Sequence, residues 1–177
     1  MGDPSVDLLQ RAQQFDVEAL ASIYDQHNQG IYRYAVRMLG DELLAEDCTS
    51  ETFHRFLQAL QSRRGPREYL QAYLYRIAHN WITDHYRRNR SQDLPLSENL
   101  REGPEDIDLI THEKIEQQRV RAMLSQLTPD QRQVILLKYY EGWENVEIAA
   151  AIQKPVGAVK ALLHRAIKQL QKISGIQ

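Results

Sequence analysis

Residues 91–112 are the segment that most restricts what this chain can become. They show no sustained hydrophobic periodicity, contain Pro95, Gly103 and Pro104, and are dominated by acids. A structureless stretch of that length is uncommon inside a compact domain, where most connections run to a handful of residues. It reads as a flexible acidic linker. The 177 residues therefore divide into a half at 1–90 and a half at 113–177, each with a modest core of its own.

Both halves are patterned as helix. Val6, Leu9, Phe15, Leu20, Ile23 and Tyr24 supply an apolar stripe over 5–27, with a break near Phe15-Asp16 where Asp16 can cap the second piece. Ile31, Tyr34, Ala35, Met38 and Leu39 continue it at i, i+3, i+4, i+7 and i+8, until Gly40 stops the helix and Asp41 starts the next. A third helix is expected over 42–61, with Leu44, Cys48, Thr52, Phe53, Phe56, Leu57 and Leu60 on one side. A loop follows at Ser62–Pro66, then a long helix over 67–89 with Leu70, Tyr73, Leu74, Ile77, Trp81 and His85 at helical spacing. Beyond the linker, helices are expected over 113–126, 129–140, 144–152 and 156–173; Thr128-Pro129 is an N-cap followed by proline at the first helical position. No strand pattern survives, and 8 glycines and 6 prolines are few for a turn-rich β protein. The fold class is all-α.

The formal net charge of −2 conceals blocks. Residues 1–62 carry 4 basic and 10 acidic side chains, 63–90 carry 7 and 2, 91–113 carry 1 and 7, and 114–177 carry 10 and 5. From Lys154 onward Lys160, Arg165, Lys168 and Lys172 follow with no acid among them. Two basic surfaces separated by an acidic tether suit a chain that meets polyanions twice. A single cysteine, Cys48, excludes an internal disulfide and suits a reducing compartment. The acidic N-terminus lacks a signal peptide's basic region, and no apolar run reaches the 18 residues of a membrane span. The expected location is the cytoplasm, without membrane insertion.

The segment Val146–Lys160 has helix-turn-helix form. Ala149 would sit at the crossing, Ile148, Ile152, Val159 and Leu163 would pack the pair, and Pro155 suits the start of the second helix. That helix would lay its N-terminal half in a major groove. Lys154, Val156, Ala158, Lys160, Ala161, His164, Arg165 and Lys168 are its candidate DNA contacts. Lys160 and Arg165 can hold a phosphate or a guanine edge, and Ala158 and Ala161 can touch a thymine methyl. Gln153 stands where glycine is common, because a left-handed backbone is wanted; the turn then costs ~1 kcal/mol or takes another shape. The same pattern also suits a plain four-helix unit with a basic exposed tail.

In the first half, Arg63–Arg90 interleaves arginines with aromatics, as a surface for single-stranded nucleic acid requires. Arg63, Arg64, Arg67, Arg76, Arg87 and Arg88 are the cations. Tyr69 and Tyr75 are the aromatics expected to be exposed, Trp81 is expected in the core, and Asn80, Thr83 and Asp84 fall on the outer side of the helix. No phosphate-binding glycine loop, HExxH or CxxC motif is present, and the spacing of His79, Asp84 and His85 does not make a metal site. No enzyme, cofactor or metal is expected.

Taken together these segments resemble the extracytoplasmic-function (ECF) subfamily of the sigma-70 family of RNA polymerase sigma factors. LSQLTPDQRQVILLKYYEG at 124–142, Glu147-Ile148-Ala149, and PVGAVKALLHRA at 155–166 are similar to its region 4; Leu39-Gly40-Asp41, AEDCTSETF at 45–53 and YLYRIAHNWITD at 73–84 are similar to its region 2. The resemblance implies that region 2 docks on the β′ coiled coil of core RNA polymerase through Asp47, Ser50, Glu51 and Phe53. Ser50 and Cys48-Thr49 depart from the usual residues of that helix. It implies that the loop at 62–67 and the following helix take the −10 promoter element as single strand, that region 4 reads the −35 element as duplex and meets the β subunit, and that an anti-sigma factor controls the chain. A conventional helix-turn-helix regulator with an N-terminal sensor domain is the competing reading; it predicts duplex binding without polymerase. A protein-binding adaptor is a third, and predicts no effect of changing Lys160 or Arg165.

Overall fold

The computed structural model describes residues 4–91 and 112–175. Among them every regular element is helical: α1 (Pro4–Gln13), α2 (Val17–Leu39), α3 (Glu42–Gln61), α4 (Leu70–Ser91), α5 (His112–Ser125), α6 (Pro129–Ile135), a π-helical turn (Leu136–Tyr140), α7 (Asn145–Ile152) and α8 (Val156–Ser174). The expected linker, but for its two end residues, lies outside the described residues.

The stops and starts are local chemistry. Asp16 accepts from the backbone N–H groups of Glu18 (3.0 Å) and Ala19 (3.2 Å) and so caps α2. Gly40, at φ 72°, closes α2 by donating to Val36 O. Asp41 caps α3 through Leu44 N at 3.0 Å. Thr128 and Gln131 form a reciprocal capping box at the head of α6.

Helices α2, α3 and α4 pack as a triplet. Ile23, Ile31, Tyr34, Met38, Phe56, Leu74 and Ile82 fill its core, and Ala35, Ala45, Cys48 and Ala78, all fully buried, let the helix axes approach. Burial pushes the Cys48 thiol up to about 12, which makes it a small neutral core residue. In the second half Val134, Leu136, Leu137, Ile148, Val159 and Ala166 are buried between α6, α7 and α8. The small residue at full burial on α7 is Ala151, while Ala149 is only half-buried.

Three boundaries differ from the sequence expectation. Helix α4 begins at Leu70, because Tyr69 adopts a left-handed φ of 53°. The helix expected over 129–140 changes to π form after Ile135, with Glu141 N bonded to Leu136 O. One extra residue in a turn rotates everything after it by about 100°. Third, the two halves touch. Helix α4 packs on α7, and α2 on α6. The Tyr75 ring lies against Trp143 with centroids 4.9 Å apart.

Candidate nucleic-acid and protein interfaces

On α3, Leu43, Asp47, Ser50, His54 and Leu57 are exposed at i, i+4, i+7, i+11 and i+14, so they share one face. Glu51 is half-buried and bonded to Arg55 Nε at 2.7 Å. Phe53 is buried, and its ring lies 4.8 Å from that of Tyr24, which is 49% exposed. The outward aromatic of this face is therefore Tyr24, with Phe53 as its support. Sequence reasoning missed Tyr24, Leu43 and Leu57, because an exposed apolar residue on an amphipathic helix looks like part of the core stripe.

The loop between α3 and α4 carries Arg63, Arg64, Arg67 and Tyr69, all exposed. Arg63 (φ 55°) and Tyr69 (φ 53°) both hold left-handed backbone, a strained state for residues with a side chain. Two contacts fix the loop. Pro66 is buried and its carbonyl accepts from Gln13 Nε2 at 2.9 Å. Gly65 lies on Leu60 so closely that an added Cβ would stand 2.6 Å from Leu60 Cδ2.

Along α4, Asn80, Arg87 and Arg88 are exposed. Arg76 is half-buried with its guanidinium 5.0 Å from the centre of the Tyr73 ring. Asp84 is bonded to Arg87. Trp81, expected in the core, is half-buried and stacks on His85, centroids 5.5 Å apart and planes 10° from parallel. Burial, and then the nearby Arg88, push the His85 imidazole below its ordinary range. Trp81 and His85 thus form a flat, neutral platform beside Asn80 and Arg88.

Tyr75 corrects the sequence expectation. It is 1% exposed, so no base can stack on it. Its ring is held between Tyr34 and Trp143, and its hydroxyl donates to Glu141 Oε2 at 3.1 Å. Burial first, then the Glu141 carboxylate, raise its phenol well above the usual range.

In the second half, Gln153 takes the left-handed conformation that the turn requires, φ 53° and ψ 43°, and donates its N–H to Ala149 O. Pro155 stands at the N-cap of α8. Lys160, Ala161, His164, Arg165 and Lys168 are exposed along one face of α8; Lys154 is exposed before it, while Val156 and Ala158 are half-buried. Arg165, Lys168 and Lys172 also line an open polar basin with Gln126, Thr128 and Gln131. Away from this face lies a groove of about 400 Å³ lined by Val120, Met123, Ile135, Tyr139, Ile167 and Leu170. Tyr139 is 61% exposed. The π-helical turn helps to present it, which periodicity alone does not reveal.

Among the described residues no cluster of three or more His, Cys, Asp or Glu side chains could hold a metal, and no helix is long and apolar enough to cross a membrane.

Comparison with known proteins agrees with this layout. Residues 23–92 match the family model described as Sigma-70 region 2, and residues 117–170 match Sigma-70, region 4. The ECF RNA polymerase sigma factor SigL of Mycobacterium tuberculosis is 30% identical over 154 residues, covering 86% of each chain. SigW of Bacillus subtilis is 32% identical over 174 residues, covering 89% of each. BldN of Streptomyces coelicolor is 29% identical over 95% of this chain, which spans 65% of BldN's own length. The fold is that of CnrH, solved with the cytosolic domain of CnrY (TM-score 0.75, 23% identity, 98% of each chain). It is also that of the sigma factor RpoE of Bartonella quintana, solved with the anti-sigma factor NepR (TM-score 0.63, 21% identity, 93% of this chain and 99% of that one). A separate sensor domain in the first half gives no account of the region 2 match, and the chain belongs to the ECF RNA polymerase sigma factors.

Proposed function

We propose that this sigma factor divides promoter recognition between its halves, residues 1–90 acting as region 2 and 113–177 as region 4. The exposed stripe of α3, with Asp47, Ser50 and Glu51 flanked by Leu43, Leu57 and Tyr24, is the docking surface for the β′ coiled coil of core RNA polymerase. The strained loop with Arg63, Arg64, Arg67 and Tyr69, and the outer side of α4 with Arg76, Asn80, Asp84, Arg87, Arg88 and the Trp81–His85 platform, hold the −10 element as single strand. Stacking on such side chains is worth about 1–3 kcal/mol per base. The exposed face of α8 reads the −35 duplex, its cations positioning the helix on phosphates. The apolar groove beside Tyr139 takes an apolar segment of the β subunit.

The observation that carries this reading is the uncovered basic face of α8, presented by the left-handed turn at Gln153, in the same chain as an exposed aromatic on a strained basic loop. The first suits duplex and the second suits melted strand. Only a protein present while a promoter opens needs both. The chain would work in the cytoplasm with the polymerase, perform no catalysis itself, and be restrained by an anti-sigma factor.

The test is transcription in vitro with core polymerase on genomic fragments. The chain is expected to give discrete promoter-specific transcripts. Asp47→Lys with Glu51→Lys is expected to abolish both co-purification with core polymerase and those transcripts. Undiminished binding of that double variant would overturn the docking assignment.

A further inference from the structure

We propose that the contact between the two halves is an intramolecular latch, which restrains this sigma factor by holding its two DNA-reading surfaces too close to reach both promoter elements. The inference rests on the functional reading above and concerns the regulation of those same surfaces.

The contact is built from specific polar ties. Arg132, buried on α6, donates through Nε to Leu124 O of its own half at 2.8 Å. Through Nη1 it donates across to Met38 O (2.6 Å) at the end of α2 and to the Tyr86 hydroxyl (3.2 Å) on α4. Glu141 is the second tie. It accepts from the Tyr75 hydroxyl and faces Arg37 Nη1 at 3.8 Å, while the Arg37 guanidinium lies 4.5 Å from the centre of the Tyr140 ring. The third is His79, bonded to Tyr34 through Nδ1 (2.9 Å) with Nε2 3.6 Å from Asp130. The π-helical turn delivers the second tie. Glu141 N reaches Leu136 O and Trp143 N reaches Leu137 O; in a regular helix Glu141 would point about 100° away.

None of these ties covers a recognition surface. Lys160, Ala161, His164, Arg165 and Lys168 on α8, Asn80 and Arg88 on α4, and Asp47 and Ser50 on α3 all remain exposed while the halves touch. What closure fixes is distance. Elements at −10 and −35 are 25 base pairs apart, about 85 Å along B-form DNA at 3.4 Å per pair. A compact chain of this length has a radius of gyration of about 16 Å, hence a width of about 40 Å. Helix α4 touches α7, and only the turn at Gln153 separates α7 from α8. A closed chain can engage one element and never both. The 20 residues between Ser91 and His112 can reach about 70 Å when extended, so opening restores the span. A contact made of charged and aromatic pairs resembles a reversible interdomain interface more than a core.

The experiment uses the full chain and three variants: Glu141→Lys, which sets a cation beside Arg37 and removes Tyr75's acceptor; Arg37→Glu, which breaks the same tie from the other half; and the double charge swap, which restores opposite signs. Small-angle scattering reports opening, circular dichroism reports folding, and transcription with limiting sigma factor reports activity. The wild type is expected to be compact. Each single variant is expected to be expanded, with unchanged helix content and an apparent affinity for polymerase at the promoter about tenfold tighter, as follows when the competent form is one part in ten. The double swap is expected to return to the compact, less active state. An extended wild type, or single variants that expand without gaining activity, or a swap that stays open, would each overturn the latch. Absence of transcription by the wild type would instead overturn the sigma reading, and the latch with it.

Discussion

Replacing Arg132 by methionine tests how strongly the buried guanidinium ties the molecule together. Methionine keeps most of the aliphatic stem and removes the donors, so the change isolates hydrogen bonding from packing. Three bonds are lost, to Leu124 O, Met38 O and the Tyr86 hydroxyl. Neither carbonyl is orphaned, since Leu124 O still accepts from Leu127 N (3.1 Å) and Met38 O from the Tyr86 hydroxyl (2.5 Å). The loss is then that of two good charge-assisted bonds and one long one, at about 1.5–3 kcal/mol for each good bond. Against it stands the desolvation that a buried guanidinium no longer incurs. The net is about 3 kcal/mol of lost stability, which lowers the melting temperature by about 6–12 °C in a chain of this size. Urea denaturation followed by far-ultraviolet circular dichroism measures it. A cycle with Tyr86→Phe should give a coupling of about 0.5–1 kcal/mol. A loss under about 1 kcal/mol would refute the reasoning, by showing that desolvation cancels the bonds.

Gln153→Gly should leave stability within about 0.5 kcal/mol, because relief of the left-handed strain is offset by added freedom of the unfolded chain, whereas Gln153→Val should lose about 1–2 kcal/mol by chemical denaturation. Lys160→Ala and Arg165→Ala should each weaken binding of duplex carrying the −35 element and each reduce the salt slope by about 1; an unchanged slope in a titration at several salt concentrations would exclude α8 as the reader. The bond from Arg11, followed by the backbone N–H of Ala19, holds the Asp16 carboxyl below its usual range. Its cap therefore stabilises α2 fully above the unfolded carboxylate's pKa of about 3.9 and fails as pH falls through the lower folded value. Asp16→Asn should remove that part of the acid limb of the stability–pH curve.

The features that could be read from the sequence are those whose causes are local. Asp16, Gly40, Asp41 and Thr128-Pro129 each announce a helix end through a side chain or a backbone freedom that acts within four residues. Gln153 does so by departing from glycine and still adopting the left-handed turn. What could not be read depends on partners far along the chain. Tyr75 lies next to Leu74 on a helix whose apolar stripe already explains its packing; the reason it is buried, Trp143 and Glu141, stands nearly 70 residues away. The π-helical turn leaves no trace in periodicity, since Leu136 and Leu137 are buried in either register. The late start of α4 is settled by Tyr69, a residue with no turn preference, held by a loop anchored on Gln13 and Leu60. The DNA-facing cations were legible because charge with no acid nearby seldom has an internal use.

The contact made by Arg132, Glu141 and Trp143 also bears on how long the protein lasts. A unit of about 60 residues buries only about 60% of the surface of its unfolded chain and is marginal alone. The second half is of that size, and in the closed form its Trp143 is buried at the contact with Tyr75 of the first. Opening therefore strips support from the smaller half at the moment its recognition helix is set free. Unless polymerase or promoter replaces that support, the freed half is the readier substrate for proteases. The molecules competent to start transcription would be the ones cleared soonest, and a burst of activity would carry its own decay.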